Sequence, residues 1–490
     1  MKRIVVAVFM MFVAGGVLFA QDDNNKLVVG GELLSNNRVR LNDTLPWSWN
    51  ENRLDVKLTK KVDGFAKFNG DIWFRYFNFS DNDLINPYYR TDLTVPFSDE
   101  IRELNVELYD FLIKNLDITL GRQRIAWGTA DKINPTDNLN PYDLSDIWDF
   151  GRHLGSDAID MRYYVGDLKI EGVFMPYFKP YRLPYGDWWQ AFETDANLPD
   201  TMQIIEKTGI IPPITMNLKY NNLYYNYQLP VNKWSENAMY GAKISKNLWG
   251  YDFSLSYMYG RDGLPLPIKT DITVDSLAST LDTAYLSVNT IMMYPRVHII
   301  GFDFAGTIGN FGVWGEAAMF MPDKKYIMEV NAPDPNAMVS SISPFLSGFE
   351  FETNPEMKDS VVLDNKPYFR YVLGTDYTFV NGLYLNMQYL HGFINERGQG
   401  NLNDYLVFHL EKKFFDDKLA ISPADFMVTV SDWNDISNNY AYVWMPTLSY
   451  YPTDNAEIKF GSRIIDGKGE GLFSKIKDKD ELFISLKYSF

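Results

Sequence analysis

The feature that most constrains this chain is a strict alternation of apolar and polar residues over about ten positions at a time, repeated along most of its length. At the C-terminus Leu482, Ile484, Leu486, Tyr488 and Phe490 share one face, and Phe483, Ser485, Lys487 and Ser489 share the other. Leu54, Val56 and Leu58 alternate with Asp55, Lys57 and Thr59. Phe369, Tyr371, Leu373, Tyr377 and Phe379 alternate with Arg370, Gly374, Asp376 and Thr378. Tyr251, Phe253, Leu255, Tyr257 and Tyr259 do so with Asp252, Ser254 and Ser256. A strand with one greasy and one wet face, repeated this often at this length, is the mark of a wall between lipid and water.

Strands are expected near residues 26–34, 51–60, 64–78, 101–112, 115–126, 157–165, 167–176, 236–246, 250–260, 295–307, 310–321, 366–380, 382–394, 403–414, 417–431, 439–452, 454–464 and 481–490. Their connections alternate in length. Tight turns such as Val62-Asp63-Gly64, Lys114-Asn115, Gly309-Asn310 and Val380-Asn381-Gly382 follow the even strands, and long segments follow the odd ones. A soluble sandwich has no reason to sort its loops this way, whereas a membrane barrel has short periplasmic turns and long outer loops. The expected fold is all-β, a transmembrane antiparallel barrel of about eighteen strands. Sixteen remain if residues 21–50, with Gly30-Gly31, form a periplasmic arm or plug instead of a first strand. A transporter of about twenty-two strands with an N-terminal plug domain does not fit, because nothing before Glu51 is long enough to be one.

The start of the chain fits a secreted protein. Lys2 and Arg3 precede an apolar run from Ile4 to Phe19 and a small residue, Ala20, so residues 1–20 read as a cleavable signal peptide. The 490 residues contain no cysteine, which removes disulfides, thiolate metal sites and a lipidated N-terminal cysteine. The net charge of −17, or −19 without Lys2 and Arg3, opposes binding to nucleic acid. The expected partners are outer-membrane lipid and lipopolysaccharide, the barrel-assembly machinery through the last strand ending at Phe490, and a small hydrophilic solute.

If the greasy face meets lipid, the other face lines a lumen. Alternation then places ten cations and twelve anions inside, among them Arg75, Arg162, Arg370, Lys459 and Arg463 against Glu107, Glu316, Asp376 and Glu411. Charges in a bilayer-spanning wall require water or ion partners. The lumen is either a channel of mixed sign or a salt-bridged interior plugged by loops.

Long loops are expected at 127–156, 177–235, 261–294 and 322–365, with a short helix at Pro199 to Lys207. The first of these follows Leu-Gly-Arg-Gln-Arg-Ile-Ala-Trp-Gly (Leu120 to Gly128) and carries Asp131, Asn134-Pro135, Asp137 and Asn140-Pro141-Tyr142-Asp143. This pattern resembles a broad group of bacterial outer-membrane porin-like proteins, including alginate-export-like families. In these a Gly-Arg-Gln…Trp-Gly strand end precedes an Asn-Pro and Asp-rich loop. The resemblance covers about twenty-five residues, and it implies a passive eighteen-stranded channel for small or oligomeric solutes. An exporter of a polyanion needs a strongly basic lumen, and this one is mixed.

Arg122, Arg124, Trp127, Asp131, Asp137 and Asp143 are therefore the candidates for a pore constriction or solute contact. One of the two arginines is expected to turn inward at a bulge allowed by Gly121, and pairing with Asp131 or Asp137 would pin the loop. Asp131 and Asp137 are weak Ca²⁺ candidates, better explained as Asx turns. Tyr181, Tyr185, Trp188, Trp189, Phe192, Tyr224 and Tyr225 either stack on sugar rings at a channel mouth or pack a large loop. No cofactor is expected. His153, His298, His391 and His409 lack any accompanying catalytic motif, so the chain reads as a channel and not an enzyme. The alternatives are a non-conducting adhesion or assembly barrel and an outer-membrane phospholipase.

Overall fold

The computed structural model describes residues 26–42, 45–62, 64–77, 97–192, 198–231, 233–278, 282–355 and 357–490. The signal peptide expected at residues 1–20 lies outside the described residues.

The chain closes into an eighteen-stranded antiparallel barrel. Its wall runs through Leu27–Arg40, Trp47–Val62, Ala66–Phe77, Phe97–Leu108, Leu116–Gln123, Ser156–Val165, Leu168–Met175, Met239–Leu248 and Tyr251–Arg261. It continues through Arg296–Ile308, Phe311–Pro322, Tyr368–Thr378, Leu383–His391, Asp404–Phe414, Leu419–Val430, an interrupted strand (Tyr440–Trp444 with Thr447–Thr453), Ala456–Gly467 and Glu481–Ser489. The interruption falls at Met445-Pro446, where proline lacks the ladder donor. Both halves of that strand still pair with the same two neighbours. Leu27–Arg40 is wall and not an arm. It pairs with Trp47–Val62 on one side and with Glu481–Ser489 on the other, which closes the barrel.

The alternation in the sequence becomes two faces. Leu104, Leu255 and Leu373 are each more than half exposed on the outside, at 58%, 56% and 52%, an apolar band that only lipid would cover. Wall residues of the opposite parity, such as Asp160, Glu171 and Glu316, are buried inside. Connections alternate as expected: the short turns stand at the end of the barrel that also holds both described chain ends.

The long connections hold the main departure from expectation. Segments 177–235, 261–294 and 322–365 are not irregular loops. They contribute a second, seven-stranded sheet above the barrel, in the order Phe351–Asn354, Thr201–Glu206, Ile214–Gln228, Thr283–Met293, Leu266–Leu277, Tyr326–Asn331 and Ser360–Leu363. Two of its pairings are parallel. The helix expected at Pro199 to Lys207 is instead the strand Thr201–Glu206, whose Met202 and Ile204 are buried while Thr201 and Gln203 are exposed. These residues join Met216, Leu218, Ile272, Leu286, Val288 and Phe351 in a separate core, against which Val339 of the helix Pro335–Ile342 packs. Asp334 caps that helix by accepting from Asn336 N.

Candidate functional site

The lumen is crossed by the chain between Gln123 and Ser156, and each anchor of that crossing can be traced to a residue. The strand Leu116–Gln123 ends at Gln123, and the chain turns inward there. Asn140, fully buried, holds the turn: its Nδ2 donates to Gln123 O at 3.0 Å and Leu154 O at 3.1 Å, and its Oδ1 accepts from Ile125 N at 2.7 Å. One side chain thus ties the entry of the loop to its exit.

Arg124 points into the lumen and forms a two-pronged ion pair with Asp137, one arm at 3.0 Å. Arg122 does not join it. It continues the outward row of Leu116, Ile118 and Leu120 and pairs with Asp157 at 3.1 Å on the neighbouring strand. Gly121 has a φ of +115°, and a Cβ there would stand 2.5 Å from Leu104 O, yet the register shows no shift at that point. The end of the strand, and not a bulge at Gly121, turns Arg124 inward.

Trp127 lies flat inside the wall. Its Nε1 donates to Glu171 at 2.9 Å, and Gly241 leaves room for its ring, since a Cβ there would come within 2.8 Å. Gly128, at φ +93°, then lets the backbone pass over Glu316, where a Cβ would collide with the carboxylate. Glu316 projects from the strand Phe311–Pro322 and accepts from Thr129 N, Ala130 N at 2.5 Å, Asn134 Nδ2 at 3.0 Å, and Thr136 N and Oγ1 at 3.2 and 2.8 Å. Further on, Asp131 accepts from Asn386 Nδ2 at 2.9 Å. Asp131 and Asp137 are thus engaged with different partners and form no joint Ca²⁺ site, and among the described residues no group of three or more acidic or histidine side chains converges as a metal site.

The returning half of the loop is clamped by arginines. Asp143, fully buried, accepts from Arg102 at 3.0 Å and Arg182 at 3.4 Å and is ion-paired with Arg152 at 3.0 Å, while Asp146 pairs with Arg38 of the first strand. Burial opposes ionisation of Asp143, but Arg152, Arg182 and Arg102 outweigh it and hold its carboxyl well below the usual range. Alternation could not find Arg102. It is the extra residue at a bulge opposite Asp71 and Ile72, which turns it inward beside Glu103.

Around these anchors the loop-end half of the lumen is packed with apolar side chains. Ile125, Trp127 and Leu139 pack against one side of the wall (Val173, Met258, Ile299, Phe320). Ile133, Leu144, Ile147 and Phe150 pack against the other (Val372, Leu390, Tyr405, Val443, Ile465) with Phe393 and Phe473. Tyr181 and Trp188 belong to this packing, Tyr181 edge-on to Tyr142 and Trp188 under Arg40. The remaining lumen is polar and internally paired. Arg75 binds Glu51 at 2.7 Å, Arg162 binds Glu107 at 2.8 Å, Glu457 bridges Lys459 and Lys487 at 3.2 and 3.3 Å, and Tyr384 donates to Asp376 at 3.1 Å opposite Glu411. Arg370 donates to Glu396 O, and Arg463 pairs with Glu481.

No family model matches this chain. No curated protein matches it either. Similar solved structures include OccAB1 of Acinetobacter baumannii, at 9% identity and a TM-score of 0.47, covering 96% of this chain and 97% of that one. OmpF of Salmonella typhi has 10% identity and a TM-score of 0.39, covering 96% and 99%. OmpT, an outer membrane protein of Vibrio cholerae, has 9% and 0.38, with the same coverage. The barrel assignment rests on the strand pairing above.

Two expected results follow from the anchors. Replacing Glu316 with Ala leaves the buried donors of Thr129, Ala130 and Thr136 without an acceptor, each worth about 1–3 kcal/mol. Amide hydrogen exchange at 129–136 should then rise at least tenfold with the wall unchanged; an unaltered rate would show that Glu316 does not hold the loop. The second concerns pH. Burial lowers the pKa of His153 below its ordinary 6.5, against the pull of Asp137, and Arg124 and Arg102 lower it further. A released His153 takes up a proton that the docked one refuses, so docking is fully stable above about pH 6.5 and weakens as pH falls below it. Asp143 and Asp146, both lowered, keep their contribution until pH drops below about 3.8. Loosening between about pH 6.5 and 4, followed by loop exchange, should therefore disappear in His153→Gln; persistence would assign it elsewhere.

Proposed function

We propose that this protein is an outer-membrane channel that passes small hydrophilic solutes by diffusion through a lumen narrowed by the 124–155 loop. The observation that carries the reading is a lipid-facing wall enclosing a charged, ion-paired interior across which one loop is anchored on several sides. Charges inside such a wall have a role where solutes and water share the space. On this reading the short-turn end faces the periplasm and the seven-stranded sheet faces outward. The Gly121-Arg122-Gln123…Trp127-Gly128 segment supports kinship with porin-like families, and the strand ending at Phe490 is the part offered to the assembly machinery. On this reading the chain acts without catalysis.

Refolded protein in a planar bilayer should give discrete current steps. Silence from both the native chain and a loop-shortened one, where a known porin conducts, would overturn the proposal. A second reading, a barrel that displays partner-binding loops, draws on the independent core of the outer sheet. It predicts that removing the sheet abolishes cell-surface binding without changing conductance.

A further inference from the structure

Between the outer sheet and the barrel mouth lies a cavity of about 360 Å³, within the size range of small-molecule sites. Its lining includes aromatic residues from distant parts of the chain: Trp189 and Phe192 from the segment Gly186–Phe192, and Tyr225 and Tyr227 from the sheet strand Ile214–Gln228. The lining also includes the amides Asn395, Asn401 and Asn403, from the connection after Leu383–His391. The geometry points to an entry-side binding site for a short neutral oligosaccharide, a deepening that rests on the channel reading above.

The charges on the cavity wall argue for a neutral ligand. The Glu396 carboxylate is already saturated, accepting from Phe393 N, Asn403 N and Nδ2, and Tyr405 OH. Arg397 is held by Asp262 at 2.9 Å. Glu470 and Lys475 also line the space, one of each sign. An anionic ligand would find no uncommitted counter-charge in the Glu396–Arg397 pair, and would lose hydration on entry. In contrast, Asn395 Oδ1 is buried among the lining residues and accepts no hydrogen bond. A buried acceptor left empty costs about 1–3 kcal/mol, and a turn of the Asn395 side chain that brought Oδ1 to the cavity would let a ligand donor relieve that cost. A hydroxyl supplies that donor; a carboxylate or phosphate cannot. Aromatic rings and amides in one lining match the two aspects of a pyranose, its flat C–H face and its rim of hydroxyls. The cavity floor also connects to the loop anchors. Leu264 and Leu472 belong to the same apolar cluster as Ile133, Leu144 and Phe150, so a sugar in the cavity would sit directly on the packing that fills the lumen.

The test is isothermal titration of the detergent-folded protein with maltotriose and cellotriose, with trigalacturonate as the anionic arm. Saturable binding of a neutral trisaccharide, with a Kd in the range of about 0.1–10 mM, is expected, and at least tenfold weaker binding of trigalacturonate. Trp189→Ala and Asn395→Leu should each weaken binding about tenfold or more. Should either fail to fold, Trp189→Leu and Asn395→Ala serve instead, the first removing the aromatic face and the second the amide. Absence of binding by both neutral trisaccharides, preference for trigalacturonate, or binding indifferent to the Trp189 and Asn395 variants would each overturn the proposal. Binding without bilayer current would overturn the channel reading and leave the cavity assignment standing; current without binding would do the reverse.

Discussion

Excising residues Thr129 to Asp149 and joining the ends with a short glycine-serine linker should raise single-channel conductance at least about threefold. The excised stretch contains Ile133, Leu139, Leu144 and Ile147, which fill the loop-end half of the lumen from both sides, together with Asp131, Asp137, Asp143 and Asp146, which fasten it. The wall does not depend on them for its hydrogen bonds, because every wall strand pairs with two neighbours, so the barrel should still form. Reconstitution of the shortened chain beside the native one decides the matter. Equal conductance would mean that solutes do not pass where the loop lies.

The other large effect should come from one carboxylate. Asp143→Asn leaves Arg102, Arg152 and Arg182 in a buried site without their shared counter-charge, with Glu100 and Asp149 at its margins and Asp146 and Glu51 also acting on Arg152. Breaking a buried charge cluster in this way costs on the order of 3–5 kcal/mol. Loop opening should therefore become at least about a hundredfold more frequent, seen as faster trypsin cleavage after the exposed Lys132 while the folded wall stays resistant. Asp149→Asn, a change at an exposed partner of Arg152, should leave cleavage within about twofold, as weak surface pairs do. Equal effects from the two substitutions would show that the cluster at Asp143 is not what holds the loop.

How far the sequence revealed this molecule depended on which physical rule governed each segment. Wall strands obey a period of two imposed by lipid on one side, so Leu482 to Phe490 and Tyr251 to Tyr259 disclosed both their extent and their faces. The loop crossing was also legible, because Asn134-Pro135, Asn140-Pro141 and the acidic run break the period abruptly after Trp127. The anchors were less so. Arg102 enters the lumen only through a bulge, and a bulge shifts parity without leaving a composition signal. Arg124 turns inward because the strand stops at Gln123, one residue before alternation would send it outward. The outer sheet was missed for a different reason: its partners lie in separate connections, so Met202, Met216 and Ile272 share a core that no single segment announces. Alternation is present in Ala284, Leu286, Val288 and Thr290, all buried, but a single alternating segment inside a long connection does not name the partner strands that cover it.

The first and last strands meet along a seam that runs from Glu32 opposite Ser489 to Arg40 opposite Glu481. The loop that crosses the lumen grips both sides of it: Asp146 holds Arg38 on one strand, and Trp148 stacks under Arg463, the partner of Glu481 on the other. The middle of the chain therefore works as an internal clasp for its two ends. Assembly has an order built into it, since the clasp cannot fasten until the final residues have been delivered and the cylinder has shut. Mechanical opening should run the other way, with the clasp released first and the seam parting after it.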